Sequence, residues 1–222
     1  AATIGWAQAE TADDPTGIVK KPIPDKTVVF TFDDGCVTHA TIAAPILKKH
    51  GFSGTFYVSD AYGFRERKDW YMTWRQIKGM SDDGFEIGNH TRGHGMLSLT
   101  DVGGCQAYVW TLEDEAIANR IPKPTTFCWP FYIINTNFYP LLSSWGYVFA
   151  RGGYGRVYRP AVDNPFDVPS FAVGGVGMTM KGFISAVQQA TAGRVVVLCF
   201  HGTPDMEHAA VGTNPDLFED MV

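Results

Sequence analysis

The sequence VVFTFDDG, at residues 28–35, runs five residues of strand-forming type straight into two adjacent carboxylates and a glycine. Side chains alternate between the two faces of a strand, and both faces of this one are mainly apolar. Such a strand is typical of a buried parallel sheet flanked by helices. Folds of that kind place their chemistry at the carboxyl ends of the strands, which is where Asp33 and Asp34 stand.

The aspartate pair has two interpretations. Two ionised carboxylates side by side repel one another, and burial strengthens that repulsion, so a bound cation would relieve it. The alternative is an Asp-Asp-Gly turn that is solvated at the end of a strand, which is a common use of these residues. Residues further along the chain decide between the two.

The composition suits one α/β domain and excludes several classes of protein. The chain has 222 residues, of which 45% are hydrophobic, which is enough for a sizeable core. A net charge of −5 with no basic stripe argues against a nucleic-acid partner. No apolar run reaches membrane-spanning length. The four cysteines include no CxxC pair, which argues against a thiolate zinc site.

Six more strand-like segments follow the first, and helical segments separate them. A capping box at Thr73 starts one helix, which Gly84 ends, and Asn137 and Asp216 are the expected caps of two later helices. Alternating strands and helices, without a linker or a repeat, predict a single parallel, barrel-like domain. The predicted strands are residues 28–32, 54–58, 85–89, 127–130, 147–150, 168–173 and 194–200.

The remaining segments complete the predicted organisation. Residues 1–27 show little periodicity and are interpreted as an N-terminal arm, so that residues 28–222 form the domain that carries the site. Residues 152–167, dense in Gly, Arg, Pro and Tyr, predict a long functional loop. The last helix, near Pro215, has no stop signal and would leave its apolar face largely uncovered. We therefore expect the native polypeptide to continue past Val222.

Two histidines follow the third predicted strand with the spacing His90-x-x-x-His94. With Asp34 they form a set of two histidines and one carboxylate, which leaves an open position for water as catalytic zinc requires. A lone pair of this spacing is common without a metal, but here it follows one strand and faces the aspartate pair after another. This arrangement favours a divalent ion, zinc above all. His201 ends the last predicted strand and joins the same rim, with a hydrogen-bonded core histidine as the alternative.

Four ordered motifs resemble those of the NodB-homology polysaccharide deacetylases, which form carbohydrate esterase family 4. They are Thr31-Phe32-Asp33-Asp34-Gly35, His90-Thr91-x-x-His94, Trp129-Pro130-Phe131 and Leu198-x-x-His201. The resemblance covers roughly residues 27–205 and implies a distorted (β/α)7 barrel. It also implies metal-dependent removal of N- or O-linked acetyl groups from a polysaccharide resembling chitin, peptidoglycan or poly-N-acetylglucosamine.

The resemblance also implies roles for individual residues. Asp33 would be the general base, His201 the general acid, and the backbone N–H of Phe131 would hold the oxyanion. The implied metal ligands are Asp34, His90 and His94. The residues expected to contact substrate are Trp129, Tyr132 and Leu198. Strict alternation along the last strand, however, points Leu198 away from His201.

The third motif departs from the family pattern, because Cys128 stands where the family usually has an arginine that orients the catalytic aspartate. A neutral thiol is only a weak donor and cannot replace it. Arg151 follows the fifth predicted strand, and alternation places it on the face that points into a barrel. We therefore expect Arg151 to make the charge-assisted contact to Asp33. The alternative is a pair with a loop carboxylate, Asp163 or Asp167.

Three functions are consistent with these residues. The favoured one is a metal-dependent glycan deacetylase. The second is an amidohydrolase of the same fold that acts on a small amide, favoured if residues 152–167 close the rim into a pocket. The third is a catalytically silent carbohydrate-binding module, against which the presence of both Asp33 and His201 argues. The small-x-small pattern at residues 7–9 suggests a secreted or cell-envelope protein, with the cytoplasm as the alternative; the sequence leaves the oligomeric state open.

Overall fold

The computed structural model describes residues 23–61, 63–97 and 101–222. Most of the predicted N-terminal arm and the pattern at residues 7–9 lie outside these ranges. Seven parallel strands close into a barrel in chain order, which confirms the predicted fold class. The strands are β1 Val28–Phe32, β2 Thr55–Val58, β3 Glu86–Asn89, β4 Thr126–Cys128, β5 Phe149–Tyr154, β6 Val168–Ala172 and β7 Val196–Phe200.

Six α-helices lie in the described part of the chain and accompany the strands. None of the helices described is long and apolar enough to cross a membrane. The α-helices are α1 Ala44–Lys49, α2 Trp74–Asp82, α3 Val102–Ala118, α4 Tyr139–Ser144, α5 Met180–Val187 and α6 Pro215–Met221. A π-helical turn, His39–Ala43, runs directly into α1, and 3-10 turns occupy Arg92–His94, Pro130–Tyr132 and Thr136–Phe138.

The outer faces of the strands form the main core beneath the helices. On β1, Phe30 and Phe32 point outward and are buried, and the ring of Phe32 stacks on Phe56 of β2 at 4.5 Å between centroids. The opposite face of β1 points into the barrel and ends at Asp33. The alternation predicted for the first strand therefore places the core-packing side chains on its outer face and the catalytic candidate Asp33 at the end of its inner face.

The helix caps agree with the sequence in part. Thr73 and Gln76 form the predicted capping box at the start of α2. The other two expected caps are wrong. Asn214, rather than Asp216, caps α6, because its side chain accepts from the N–H groups of Asp216 and Leu217. The 3-10 turn before α4 is capped by Asn135 rather than Asn137.

The apolar face of α6 is covered, contrary to the sequence-based expectation. Phe218 has no exposed surface, and its ring packs edge-on against Phe32 at 5.7 Å and Phe200 at 5.2 Å. Met221 is buried in the same cluster. The helix therefore packs its apolar side against the outer face of β1 and β7.

The segment 152–167 is not a loop over the active-site rim. Its first residues extend β5 as far as Tyr154. The chain then returns to the opposite end of the barrel, where Tyr158 pairs antiparallel with Val195, just before β7. Two neighbouring parallel strands need such a crossover. The prediction of a functional loop is therefore wrong for most of this segment.

Candidate active site

The two aspartates lie at the carboxyl end of β1 and are both buried. The backbone N–H of Asp33 still donates to the carbonyl of Phe200, at 3.0 Å, and so extends the pairing with β7. Asp34 and Gly35 then turn the chain with φ values of +74° and +71°. Left-handed backbone is uncommon outside glycine, although aspartate tolerates it better than most residues. The turn sends the two neighbouring carboxylates toward different partners.

Three potential metal-ligating atoms converge beside β1 and β3. The Asp34 Oδ1 atom lies 3.5 Å from His90 Nε2 and 3.6 Å from His94 Nε2. The two Nε2 atoms are 3.1 Å apart. The structure thus gathers Asp34, His90 and His94 into one group whose ligating atoms all lie within 4.8 Å of one another. These are the three residues that the sequence predicts as ligands.

The hydrogen bonds around this group fit a cation. His90 Nδ1 faces the carbonyl of Cys128 at 2.9 Å, so Nδ1 carries the hydrogen of a neutral ring and Nε2 presents a lone pair. Asp34 Oδ1 is buried and has no hydrogen-bond partner within the described residues. A buried oxygen without a partner, facing two imidazole nitrogens, is a costly arrangement that a bound divalent ion would satisfy. The carbonyl of Cys128 also supplies the orienting contact that metal-bound histidines usually have.

The electrostatics favour positive charge at the same point. Burial alone lowers the pKa of His90, but the nearby carboxylates of Asp34 and Asp33 outweigh it and raise the pKa above its usual value. Burial raises the pKa of Asp34, but the neighbouring His90, His201 and His94 lower it by more. The pKa of Asp34 therefore lies far below its usual value. Burial, with the neighbouring His90, lowers the pKa of His94 to about 4, so that ring is neutral at neutral pH.

Asp33 has a different partner. The guanidinium Nη2 of Arg151 donates to Asp33 Oδ2, and both side chains are buried. The thiol of Cys199 lies 3.4 Å from the same oxygen. Burial by itself raises the pKa of Asp33, but the charge of Arg151 outweighs it and the net pKa lies below 3.8. The contact expected from the sequence is therefore present, while the part that Arg151 plays in catalysis stays a prediction.

Arg151 is held on several sides. Its Nη1 donates to the carbonyl of Gly152 at 3.2 Å and to Ser170 Oγ at 3.1 Å. The guanidinium also lies near the rings of Tyr57 and Tyr132, at 5.5 and 5.4 Å from their centroids. The alternative pair with Asp163 is wrong, since that carboxylate binds two other arginines, Arg156 and Arg159. Arg151 is only 1% exposed, which leaves it no route to a surface partner.

Cys128 lies beside this arginine, with its Sγ atom 2.6 Å from Nη2 of Arg151 and 3.7 Å from Asp33 Oδ2. Burial raises the pKa of Cys128 well above its usual value, despite the nearby guanidinium. The side chain is therefore a neutral thiol at physiological pH. Its small size leaves room for the guanidinium next to the carboxylate.

His201 follows β7 and faces the same rim. Its side chain is 20% exposed, and its Nε2 atom lies 3.8 Å from Asp34 Oδ2. Of the ionisable groups predicted for the rim, it is thus more accessible than Asp33, Asp34 or His90. Exposure of this kind is what a residue needs if it exchanges protons with both a substrate and water.

The chain around His201 is anchored by residues that sequence reasoning missed. His39 Nε2 contacts the carbonyl of His201 at 3.2 Å, and burial lowers the pKa of His39 to about 4. Thr38 Oγ1 accepts from the N–H of Thr203 at 2.8 Å and donates to the carbonyl of Pro204 at 2.9 Å. Both residues lie just beyond the first motif. Their nearness to Asp34 in the sequence was the signal that could have identified them as parts of the site.

Asp205 holds the same loop from inside. Its carboxylate is buried and accepts from the N–H groups of His208 at 2.7 Å, Glu207 at 3.0 Å and Gly202 at 3.3 Å. The thiol of Cys36 approaches the same carboxylate at 3.4 Å. The loop 201–208 is therefore tied both to itself and to the turn that follows the aspartate pair.

Phe131 of the third motif and Tyr132, which follows it, lie beside the site. Phe131 has φ +57° and is 49% exposed, and its ring packs edge-on against His94 with centroids 4.3 Å apart. Tyr132 is half-buried, and its hydroxyl lies 3.2 Å from Cys199 Sγ. Burial raises the pKa of this tyrosine far above its usual value, so it stays protonated.

Two of the expected substrate contacts are wrong. The Trp129 side chain is fully buried outside the barrel, where its Nε1 donates to the carbonyl of Phe166 at 3.0 Å. Leu198 is fully buried in the outer core with Phe200. Strand alternation turns Leu198 away from the rim, and no irregularity in β7 reverses it. Neither side chain has exposed surface with which to touch a substrate.

Known proteins match both the sequence and the fold. The family model described as polysaccharide deacetylase matches residues 20–150. YxkH of Bacillus subtilis is 37% identical over 76 residues, which are 34% of this chain and 25% of YxkH. The peptidoglycan-N-acetylglucosamine deacetylase of Bacillus cereus is 33% identical over 84 residues, which are 36% of each protein. The matched stretches thus cover only about a quarter to a third of these relatives.

Solved structures of low sequence identity share the fold. The chitin deacetylase of the fungal pathogen Colletotrichum lindemuthianum superposes with a TM-score of 0.66 at 16% identity. The superposition covers 94% of this chain and 86% of the fungal one. Similarity at this level of identity establishes the barrel and leaves the chemistry to the site itself.

Proposed function

The chain belongs to the polysaccharide deacetylase family, and on that premise we propose that it is a metal-dependent hydrolase that removes acetyl groups from a polysaccharide. The observation that carries this proposal is the convergence of Asp34, His90 and His94 beside a second buried carboxylate, Asp33. The first three would hold a divalent ion, most simply zinc, since two imidazoles and one carboxylate are a usual catalytic zinc set. When bound, such an ion polarises an acetyl carbonyl and makes a neighbouring water more acidic.

Asp33 would act as the general base. Its low pKa keeps it ionised at neutral pH, and Arg151 and Cys199 hold its Oδ2 atom in place. Its other oxygen, Oδ1, is buried and has no partner within the described residues, so it is free to accept the proton of the attacking water. The water oxygen then bonds to the acetyl carbon and a tetrahedral oxyanion forms.

The remaining groups would complete the reaction. The backbone N–H of Phe131 would donate to the oxyanion. His201, in its protonated form, would donate a proton to the departing nitrogen as the C–N bond breaks, or to the departing oxygen of an ester. Acetate and a free amine or hydroxyl are the products. The proton gained by Asp33 and the one lost by His201 balance through solvent.

The course of the β5–β6 crossover supports a polymeric substrate. The crossover between β5 and β6 runs to the opposite end of the barrel, so it does not close the rim, and Phe131 exposes an aromatic surface of the kind that sugars stack on. The condition that favoured a small-amide hydrolase is therefore not met. The relatives named for peptidoglycan and chitin support a glycan of N-acetylglucosamine type. Such a substrate fits a secreted or cell-envelope location.

The test is acetate release from acetylated chito-oligosaccharides and peptidoglycan fragments, measured on protein stripped with a chelator and then reloaded with zinc. We expect release only from the reloaded protein, and at least about 100-fold less from Asp33→Asn. Release from acetamide-type small molecules but from no glycan would favour the amidohydrolase. Glycan binding without release from any substrate would favour a silent binding module.

A further inference from the structure

The second barrel strand separates the two strands that carry the candidate metal ligands. In the barrel, β2 lies between β1 and β3, yet it contributes none of the three ligands. Asp34 follows β1, and His90 and His94 follow β3. The two residues that follow β2, Ser59 and Asp60, reach across to the turn that carries His94. The end of β2 is therefore placed to act on one of the ligands.

The two histidine ligands are anchored differently. His90 directly follows β3, its N–H continues the strand pairing with β2 at 2.9 Å, and its ring contacts the carbonyl of Cys128 at 2.9 Å. His94 lies four residues further on, in a turn where Thr91, Gly93 and His94 have φ values of +68°, +65° and +51°. Left-handed backbone is costly for a β-branched residue such as threonine. The turn therefore needs contacts from its surroundings to keep this shape.

Ser59 and Asp60 supply such contacts. Ser59 Oγ accepts from the backbone N–H of His94 at 3.1 Å, and Asp60 Oδ1 accepts from the N–H of the preceding glycine at 2.8 Å. Ser59 is 1% exposed and the side chain of Asp60 is 5% exposed, so both point into the protein rather than into solvent. The other oxygen of Asp60 lies 3.3 Å from Arg65 and 3.8 Å from Arg92. The two arginines thus face one carboxylate oxygen, while the other holds the turn.

We propose that Ser59 and Asp60 are positioning residues that hold the turn of His94 in its ligating shape and thereby set the affinity of the site for zinc. This inference rests on the metal dependence proposed above. Both residues act through backbone N–H groups of the turn. A turn that the protein already holds in place loses less conformational freedom when zinc binds, so binding is tighter. Removing either contact should weaken zinc binding although all three ligands remain.

The test is the zinc affinity of the whole chain, measured by competition with a chromophoric chelator. Ser59→Ala removes one acceptor and should weaken zinc binding about tenfold or more, the usual effect of losing a contact that orients a ligand. Asp60→Ala should have the same effect. Asp60→Asn keeps an oxygen for the N–H of the turn and should weaken zinc binding less than about threefold, because the hydrogen bond rather than the charge holds the turn.

Two further variants separate positioning from general stability. Ser53→Ala is the matched control, because Ser53 lies before the opposite end of β2 and its hydroxyl donates to the carbonyl of Gly84 at 3.1 Å. It should leave the zinc affinity unchanged. The second comparison introduces Ser59→Ala into a His94→Ala chain. Once the ligand is gone, holding its turn has no further consequence for zinc, so the double variant should bind zinc as His94→Ala does.

Unchanged zinc affinity in Ser59→Ala and Asp60→Ala, with the fold verified by circular dichroism, would overturn the proposal. The Asp60 variants decide it if Ser59→Ala does not fold. An equal further loss from Ser59→Ala in the His94→Ala chain would show that the serine does not act through the ligand. A chain that binds no zinc would overturn both this inference and the metal site. A chain that binds zinc with these dependences but releases no acetate would overturn the proposed function alone.

Discussion

Asp33 and Asp34 are neighbours in the chain, yet their side chains have different surroundings. Asp34 faces three imidazoles, and Asp33 faces a guanidinium and a thiol. The first environment suits a metal ligand, whose charge the ion balances. The second suits a base that must stay ionised and correctly oriented when substrate excludes water. The different partners support a division of roles that adjacency alone leaves open.

The first prediction separates these roles by substitution. Asp33→Asn should retain bound zinc but lose at least about 100-fold in acetate release, the usual contribution of a general base. Asp34→Asn should lose both zinc and activity, because it removes the only carboxylate of the ligand group. Metal content by plasma mass spectrometry and initial rates measure the two properties. Equal zinc loss in both variants would contradict the assignment.

The second prediction concerns the orientation of Asp33. Burial raises the pKa of Asp33 and Arg151 lowers it further than burial raises it. Arg151→Met removes the lowering influence, so the carboxylate should take up its proton at higher pH. The acid limb of kcat/KM should therefore move to higher pH while zinc content stays the same. Arg156→Met, which removes an arginine from the part-buried pair with Asp163, is the control and should leave the limb in place.

For individual residues, the sequence predicts a position correctly when strand alternation and the chemical need of the site agree. Alternation along β5 places Arg151 inside the barrel, and the missing arginine at Cys128 supplies the reason for it to be there. The same alternation turns Leu198 outward, against the role that the resemblance implies. His39 was missed because its contact is made to the backbone of His201, across 162 residues of sequence, and no side-chain pattern encodes such a contact.

The loop after β7 is the element on which the position of His201 depends. It is held by Thr38 from one side and by the buried carboxylate of Asp205 from the other. Neither residue touches the place where substrate would bind, so both would act through His201. Their effect should therefore depend on whether the reaction needs a proton from an acid.

The third prediction uses that dependence. An amide must have its departing nitrogen protonated, whereas 4-nitrophenolate leaves without help. Thr38→Val keeps the shape of the side chain but removes both of its hydrogen bonds, so it should slow N-deacetylation about tenfold or more. Hydrolysis of 4-nitrophenyl acetate should change less than about threefold. Thr41→Val, on the same turn, is the matched control, since among the described residues its hydroxyl donates to the carbonyl of Val37 and does not contact the loop after β7.

A uniform loss on both substrates would instead mean that Thr38 is a structural residue. No loss on either substrate would mean that Asp205 alone fixes the loop. The Asp205→Asn variant distinguishes these cases. Its side-chain amide keeps one oxygen that can accept from the N–H groups of the loop and loses the other acceptor.

The elements themselves were predictable where local signals are strong. The capping box at Thr73 and the apolar strands are of this kind. The crossover after β5 was misjudged because its glycines, arginines and tyrosines also suit an exposed functional loop. Its true course follows from the closed barrel, in which every parallel strand must start again from the same end.

On the scale of the whole molecule, the candidate metal centre joins distant parts of the chain. Its ligands follow β1 and β3, and His201 beside them follows β7. A ligand that binds only the folded state stabilises it by mass action, by about 2.7 kcal/mol when present at 100 times its dissociation constant.

The fourth prediction follows for thermal unfolding. Zinc at that excess should raise the midpoint by roughly 5–10 °C for a chain of this size. Asp34→Asn should remove the increase, and a chelator should reverse it in the unmodified protein. Differential scanning calorimetry measures both effects. An equal increase in Asp34→Asn would show that zinc binds at another place.

The contact between Cys128 and Arg151 limits how this barrel can be recombined with its relatives. The Sγ atom of Cys128 is 2.6 Å from the guanidinium, so an arginine at position 128 would have to occupy space that Arg151 already fills. A hybrid that joins the first four strands of this chain to the last three of a barrel without an equivalent of Arg151 would leave Asp33 without its cation. The reverse hybrid, with an arginine on β4 and Arg151 on β5, would bring two guanidinium groups to one carboxylate. Positions 128 and 151 therefore act as one structural unit, and only a paired exchange transfers a working base from one barrel to the other.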